Sequence, residues 1–473
     1  MDPEKTPLLT TNDLASRTKC PAGIVASPGP ESFAALQEQD ISRLRIQRRK
    51  RICAHLILLT IFVLFASSHF DLSHVHGHHP HRFHPHQPQP DDEVSWMENF
   101  TDESSDLPVF PELMIRQCAE WPEGEPNSSV QHTFELPIDS ELLFLVARGP
   151  SINGNVNITQ SDEEGDSAVV SIRTHYDDET LLDSIKLCDV VTREGGNGVG
   201  LLSSHPHPHR HMHNIYFDIN VAFPKHSEKF PLVVSDFRTE MHGIFGHQVA
   251  NLSEAIVFNS VSLTGAYKPV KVNSLQAHSV RIESPHSPIE GNFTVRKSLR
   301  LSTANARINI TANLLNDETD EDMTELIMNT ANSPIEASVS LFSVDAGEIT
   351  SSGGAFRVRA RNANSPVKVA FPTAPINSTV VLDAKTAVAP LDVQMHGTFE
   401  GAFTVHTTPF DKRVVVAEEG LDPEGKGRKR NLIFDRYTGG ISEGTVFWGQ
   451  GEPGKQRGSV RLDTVSGQVS LKF

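Results

Sequence analysis

The chain has 473 residues, 7% of them aromatic, a formal net charge of −17 and four cysteines. Its length allows two or three domains. The acidic balance argues against nucleic acid as a main partner, and four cysteines exclude a disulfide-dense scaffold.

Residues 1–51 hold nine Lys and Arg against six Asp and Glu, a balance of +3, while the remainder holds 33 against 53, a balance of −20. The Pro-, Ser- and Thr-rich start has no sustained period and reads as a disordered tail. Within it Glu4 stands four positions before the pair Leu8–Leu9. That arrangement resembles an acidic dileucine sorting signal, whose readers are clathrin adaptors; the alternative is a chance hexapeptide in a disordered tail.

Residues 52–70 are predominantly apolar and follow a block containing Arg43, Arg45, Arg48, Arg49, Lys50 and Arg51. Nineteen residues at 1.5 Å each reach roughly 28 Å, enough for one transmembrane helix in the lipid bilayer. The basic block keeps the N-terminus cytosolic, so the expectation is a single-pass signal anchor at the plasma membrane or in the endosome or vacuole. A cleaved signal peptide would need too long a leader. Cys53, at the membrane edge, suits palmitoylation or apolar filling.

Residues 71–106 read as a His/Pro-rich and acidic stalk without a core, with eight histidines from His69 to His86. Beyond it the pattern is all-β. In 107–229, the segments 131–149, 154–160, 167–176, 186–194 and 214–224 read as strands, the clearest with period two. In 230–473 a degenerate frame recurs, a small polar turn, often Asn-Ser-Pro, followed by an alternating strand. Segments 284–295, 303–314, 329–341, 361–371 and 460–473 carry it. Its spacing is 19 residues from Ile289 to Ile308, 27 from Ile308 to Ile335 and 24 from Val367 to Leu391. Periods of that size predict a β-solenoid of stacked units, with a β-sandwich as the alternative.

Turns such as Thr464-Val465-Ser466-Gly467-Gln468-Val469 resemble those of the DUF4097 family, the adhesin-type β-repeats of bacterial surface proteins. The likeness covers roughly 230–473. The layout of basic tail, anchor, stalk and β ectodomain is similar to that of fungal single-pass membrane proteins with a related domain. The resemblance implies a binding role and supplies no catalytic residues.

Asn-X-Ser/Thr sequons occur at Asn99, Asn127, Asn157, Asn251, Asn292, Asn309 and Asn377, all beyond the anchor, as suits a glycoprotein ectodomain. Cys118 and Cys188 would share an oxidising compartment. A bond between them would contribute about 3–4 kcal/mol; two separate buried thiols are the alternative. His205, His207, His209, His211 and His213 alternate along the chain. On a strand their imidazoles would share one face able to hold Zn²⁺, Cu²⁺ or Ni²⁺ or to sense pH. Pro206 and Pro208 point instead to a solvated loop. The acidic run 316–322 lacks EF-hand spacing. In 422–431 a charged hairpin loop competes with cleavage after Lys429–Arg430. No nucleophile elbow, HExxH motif or P-loop is present.

The expectation is a non-enzymatic, cofactor-free adhesin-like ectodomain with a cell-wall or glycan ligand. A carbohydrate-active solenoid enzyme and a His-rich metal-buffering or pH-sensing protein are the alternatives.

Overall fold

Period-two patterning becomes burial. In 167–176 the side chains of Ala168, Val170 and Ile172 turn inward while Ser171 and Arg173 turn out, as a strand with one solvated face requires. The computed structural model describes residues 113–122, 129–149, 152–204, 215–226, 230–317, 322–345, 347–418, 420–450 and 458–473.

The N-terminal part contains β1 (Leu113–Cys118), β2 (Ser129–Pro137), β3 (Leu142–Arg148), β4 (Asn153–Glu164), β5 (Ser167–Tyr176), β6 (Ile185–Thr192), β7 (Asn197–Ser203), β8 (Ile215–Lys225), β9 (Leu232–Met241) and β10 (Ile244–Asn251). The middle contains β11 (Ile256–Thr264), β12 (Val270–Glu283), β13 (Ile289–Ser302), β14 (Ile308–Asp317), β15 (Thr324–Asn329), β16 (Ile335–Asp345), β17 (Glu348–Thr350), β18 (Ala355–Arg361), β19 (Val367–Ala370), β20 (Thr379–Thr386) and β21 (Leu391–Gln394). The last part contains β22 (Gly401–His406), β23 (Arg413–Val416), β24 (Arg430–Thr438), β25 (Ile441–Trp448), β26 (Ser459–Thr464) and β27 (Val469–Lys472).

Two mainly parallel sheets run the length of this body. The first has the order β1-β6-β7-β3-β9-β11-β12-β13-β15-β18-β20-β26-β22-β25-β24. The second has the order β2-β5-β8-β4-β10-β12-β13-β14-β16-β19-β21-β27-β23. The long strands β12 and β13 pass through both, bending at register shifts between Val272 and Leu275 and between Ala277 and Ser279. Each coil therefore contributes one stretch to each sheet. Long runs of parallel pairing between stacked units give an all-β repeat fold of many strands; a sandwich is built largely of antiparallel neighbours.

The spacing read in the sequence is the register of the second sheet. Val270, Ile289, Ile308, Ile335, Val367, Leu391 and Val469 stand directly beside one another. Identical positions stack because each must point into the same core. That core is continuous from Leu136 to Phe473.

Coil order departs from chain order at both ends. The β3/β4 coil lies between β7/β8 and β9/β10. The β26/β27 coil lies between β20/β21 and β22/β23. Phe473 is thereby buried against Phe399 and Phe403, at ring separations of 5.6 and 5.5 Å. Antiparallel strands finish both sheets at one end, β6 and β1 on the first and β5 and β2 on the second; at the other end β25 and β24 finish the first sheet, and the second ends on the parallel strand β23.

The boundary expected at residue 230 does not separate two cores. β9 pairs with β3 and β10 with β4, so both segments close one core. No helix among the described residues is long and apolar enough to cross a membrane. The expected anchor at 52–70, the tail and the stalk lie outside the described residues.

Candidate functional site

Coils pass from the first sheet to the second through the turns 265–269, 284–288, 303–307, 330–334 and 362–366. Each position of the turn has its own task. The first residue is buried at Ser284, Thr303, Thr330 and Asn362. From there Thr330 Oγ1 donates to the Ala306 carbonyl at 3.1 Å, and Asn362 Nδ2 to the Ser333 carbonyl at 2.6 Å. The fourth is serine where Ser333 and Ser365 donate to the carbonyls of Asn305 and Asn332 at 2.8 and 2.9 Å. The fifth is often proline. Its missing N–H costs nothing there, because the ladder needs only its carbonyl, which receives Ile308 N at Pro334 and Ile335 N at Pro366.

The third residue of each turn faces solvent: Tyr267, His286, Asn305, Asn332 and Asn364. Asn364 Nδ2 donates to Asn332 Oδ1 at 2.7 Å, Asn332 Nδ2 donates to Asn305 Oδ1 at 2.7 Å, and Asn305 Nδ2 lies 3.2 Å from His286 Nδ1. The Tyr267 ring stacks on His286 with centroids 5.1 Å apart and planes 14° apart. The result is one exposed row with a step of about 4.8 Å, the strand spacing. The middle amides each commit one N–H and one carbonyl lone pair to the row, which leaves further hydrogen-bonding capacity directed outward. The open face of Tyr267 adds a flat apolar platform.

Lys268, next in sequence to Tyr267, reaches the other way. Its Nζ donates to the Gly154 carbonyl at 3.1 Å and sits 4.7 Å from the centre of the Tyr216 ring. Asn155 Nδ2 donates to Tyr216 Oη at 2.6 Å, and His175 Nε2 lies 3.2 Å from Asp218 Oδ2. Partial burial, and then the Asp218 charge, raise the Tyr216 pKa, so its phenol stays protonated at neutral pH. Partial burial lowers that of Lys268 against the opposing pull of Asp218. These groups offer hydrogen bonds and one cation to a ligand. No nucleophile–base pair is formed among them.

Cys118 and Cys188 are bonded to each other as directly opposed partners of β1 and β6. Asn251, Asn292, Asn309 and Asn377 are exposed, and Asn157 is half-buried on β4. Asn377 has φ 63° and lines a cleft with Glu400, Arg428 and Trp448. Asn99, Asn127, Glu4, Leu8, Leu9, Cys53, His205, His207, His209, His211 and His213 lie outside the described residues. Among the described residues no group of three or more His, Cys, Asp or Glu is placed to hold a metal ion.

Asn316, at the start of the acidic run, is buried and structural. Its Nδ2 donates to the Asp322 carbonyl at 3.0 Å and its Oδ1 accepts from Ala355 N at 2.8 Å. In the 422–431 loop, Asp422 accepts the N–H groups of Glu424, Lys426 and Arg428 and the Arg428 guanidinium. The Arg428 hydrogen bond above all holds its carboxyl well below the usual range. Arg430 is packed over Trp448 and Phe473 and donates to the Phe399 carbonyl. Burial lowers its pKa to about 10.

The row of third-position side chains matches no catalytic motif in the sequence. The recurring Asn-Ser-Pro was the available signal, because a turn repeated at coil spacing must place the same side chain on the same edge.

No family model matches the chain, and no curated protein matches it. Among solved structures it is similar to a candidate cell adhesion protein from Clostridium sporogenes ATCC 15579, at 10% identity over 73% of this chain and 99% of that one, with a TM-score of 0.14. It is also similar to a candidate adhesin from Bacteroides fragilis NCTC 9343, at 11% identity over 58% of this chain and 100% of that one, with a TM-score of 0.28.

Proposed function

We propose that the protein is a non-enzymatic, adhesin-like binding protein that holds an extended glycan along its turn edge. The observation that carries this reading is the exposed row Tyr267, His286, Asn305, Asn332 and Asn364, with an aromatic platform at one end, an imidazole beside it and three amides along the rest. Sugars offer hydroxyls to amides and a C–H face to an aromatic ring, and a regular row suits a polymer. In this reading the β body is the glycosylated ectodomain of a type II membrane protein anchored by residues 52–70. Glu4, Leu8 and Leu9 direct its sorting through clathrin adaptors.

Affinity electrophoresis of the full-length protein in detergent, in gels containing soluble cell-wall polysaccharides, tests the binding. Retardation by at least one polymer is expected, and Tyr267→Ala with Asn332→Ala should abolish it. Equal mobility of variant and wild type would refute the edge, and release of reducing ends would refute the non-enzymatic assignment.

A further inference from the structure

The four strand-borne sequons, Asn157, Asn251, Asn292 and Asn309, all belong to the second sheet. The outward face of the first sheet carries none, and its chemistry differs. From β13 to β26 it presents Arg300, Arg357, Arg359, Arg361, Lys385 and Arg461 against Glu325, Asp383 and Asp463. This cationic excess stands on a chain of net charge −17.

Relief separates the two signs. The carboxylate side chains of Glu325, Asp383 and Asp463 are 17–21% exposed, whereas Arg300, Arg361 and Arg461 are 54–56% exposed. Each carboxylate lies between two cations: Glu325 between Arg300 and Arg359, Asp383 between Arg361 and Lys385, Asp463 between Lys385 and Arg461. An approaching molecule meets guanidinium groups first.

Register sets their spacing. Arg300, Ile327, Arg359, Asp383 and Arg461 stand side by side on consecutive strands. A guanidinium therefore recurs on every second strand, roughly every 9–10 Å. That step matches the disaccharide repeat of an extended acidic polysaccharide. It does not match an extended peptide, whose same-face side chains recur about every 6.6–7 Å.

We propose that the outward face of the first sheet is a second binding surface, separate from the turn edge, that takes an anionic polysaccharide. Guanidinium groups pair with carboxylate or sulfate groups in forked geometry, and no sequon lies on the strand stretches that form this face.

Heparin serves as the probe, with neutral dextran and polyglutamate as comparisons, and the full-length N-glycosylated protein in detergent as the receptor. Retention on heparin at about 0.1 M salt, release by about 0.5 M, and no retention on dextran are expected for exposed charges. Replacing Arg357, Arg359 and Arg361 together with Gln should weaken binding about tenfold, and replacing them with Lys should weaken it less, because the charge stays while the forked pairing is lost. Should the Gln variant lose its β circular dichroism, Lys385→Gln with Arg461→Gln supplies the same measurement. Tyr267→Ala should leave heparin retention unchanged, which separates this surface from the turn edge, and so should enzymatic removal of the N-glycans. The proposal is overturned by folded Gln variants that bind like wild type, by polyglutamate binding as tightly as heparin, or by loss of retention in Tyr267→Ala or after deglycosylation.

Discussion

The Thr239 hydroxyl lies 2.8 Å from His247 Nε2 across the buried interior, and each is the polar member of an otherwise aliphatic row. On the first sheet the neighbours of Thr239 are Leu145 and Leu263, followed by Ile282 and Leu301. On the second sheet His247 stands between Val156 and Val270. His247 Nδ1 is buried without a hydrogen-bond partner.

Burial lowers the His247 pKa to about 4, from an ordinary value near 6.5. The unfolded chain therefore binds the proton more readily than the folded one. This contribution to stability is full above about pH 6.5, declines as the pH falls toward 4 and levels off below it. The loss is of order 3 kcal/mol. Urea denaturation at pH 7.5, 5.5 and 4.5 should show the decline, and Thr239→Val with His247→Val should flatten it. An equal slope in the double variant would refute the assignment to His247.

Cys118–Cys188 ties β1, whose partner is β6, to the end of the first sheet. Cys118→Ser with Cys188→Ser should cost about 4 kcal/mol on the loop-entropy model. Hydrogen exchange should rise first in 113–118, leaving β12 to β16 protected. Uniform loss of protection would show that the cap and the middle coils unfold as one unit.

Asn332 both donates to Asn305 and accepts from Asn364. Asn332→Ala should lower stability by about 1 kcal/mol, a modest cost because water reaches the groups left behind. Thermal melts resolve a change of that size, and a larger loss would mean that the row organises the turns beneath it.

Gly467 has φ 153°, and a Cβ there would stand 2.3 Å from the Ala389 carbonyl oxygen of the neighbouring coil. Its N–H also donates to Asp411 Oδ2 at 3.1 Å. Gly467→Ala should destabilise by roughly 1–3 kcal/mol, through backbone strain and separation of the β26/β27 coil from β21. A melting temperature equal to that of wild type would exclude this close approach.

The sequence by itself determined the strands and much of the stacking register. Alternation in 167–176 fixed which face of β5 is buried, and the intervals Ile289–Ile308–Ile335 and Val367–Leu391 are the steps between adjacent coils. These features were legible because inward positions must be apolar and turns between equivalent strands need equivalent residues. Only the tertiary structure decided which coils are neighbours. Alternation records which side of a strand is dry and is silent about what lies beside it. The insertion of β26/β27 between β20/β21 and β22/β23, the single core across residue 230 and the opposition of Cys118 to Cys188 therefore left no periodic trace. The same reason hid the row from Tyr267 to Asn364 and the arginines opposite the sequon-bearing sheet. Their members lie far apart along the chain, and parallel register aligns them at strand spacing.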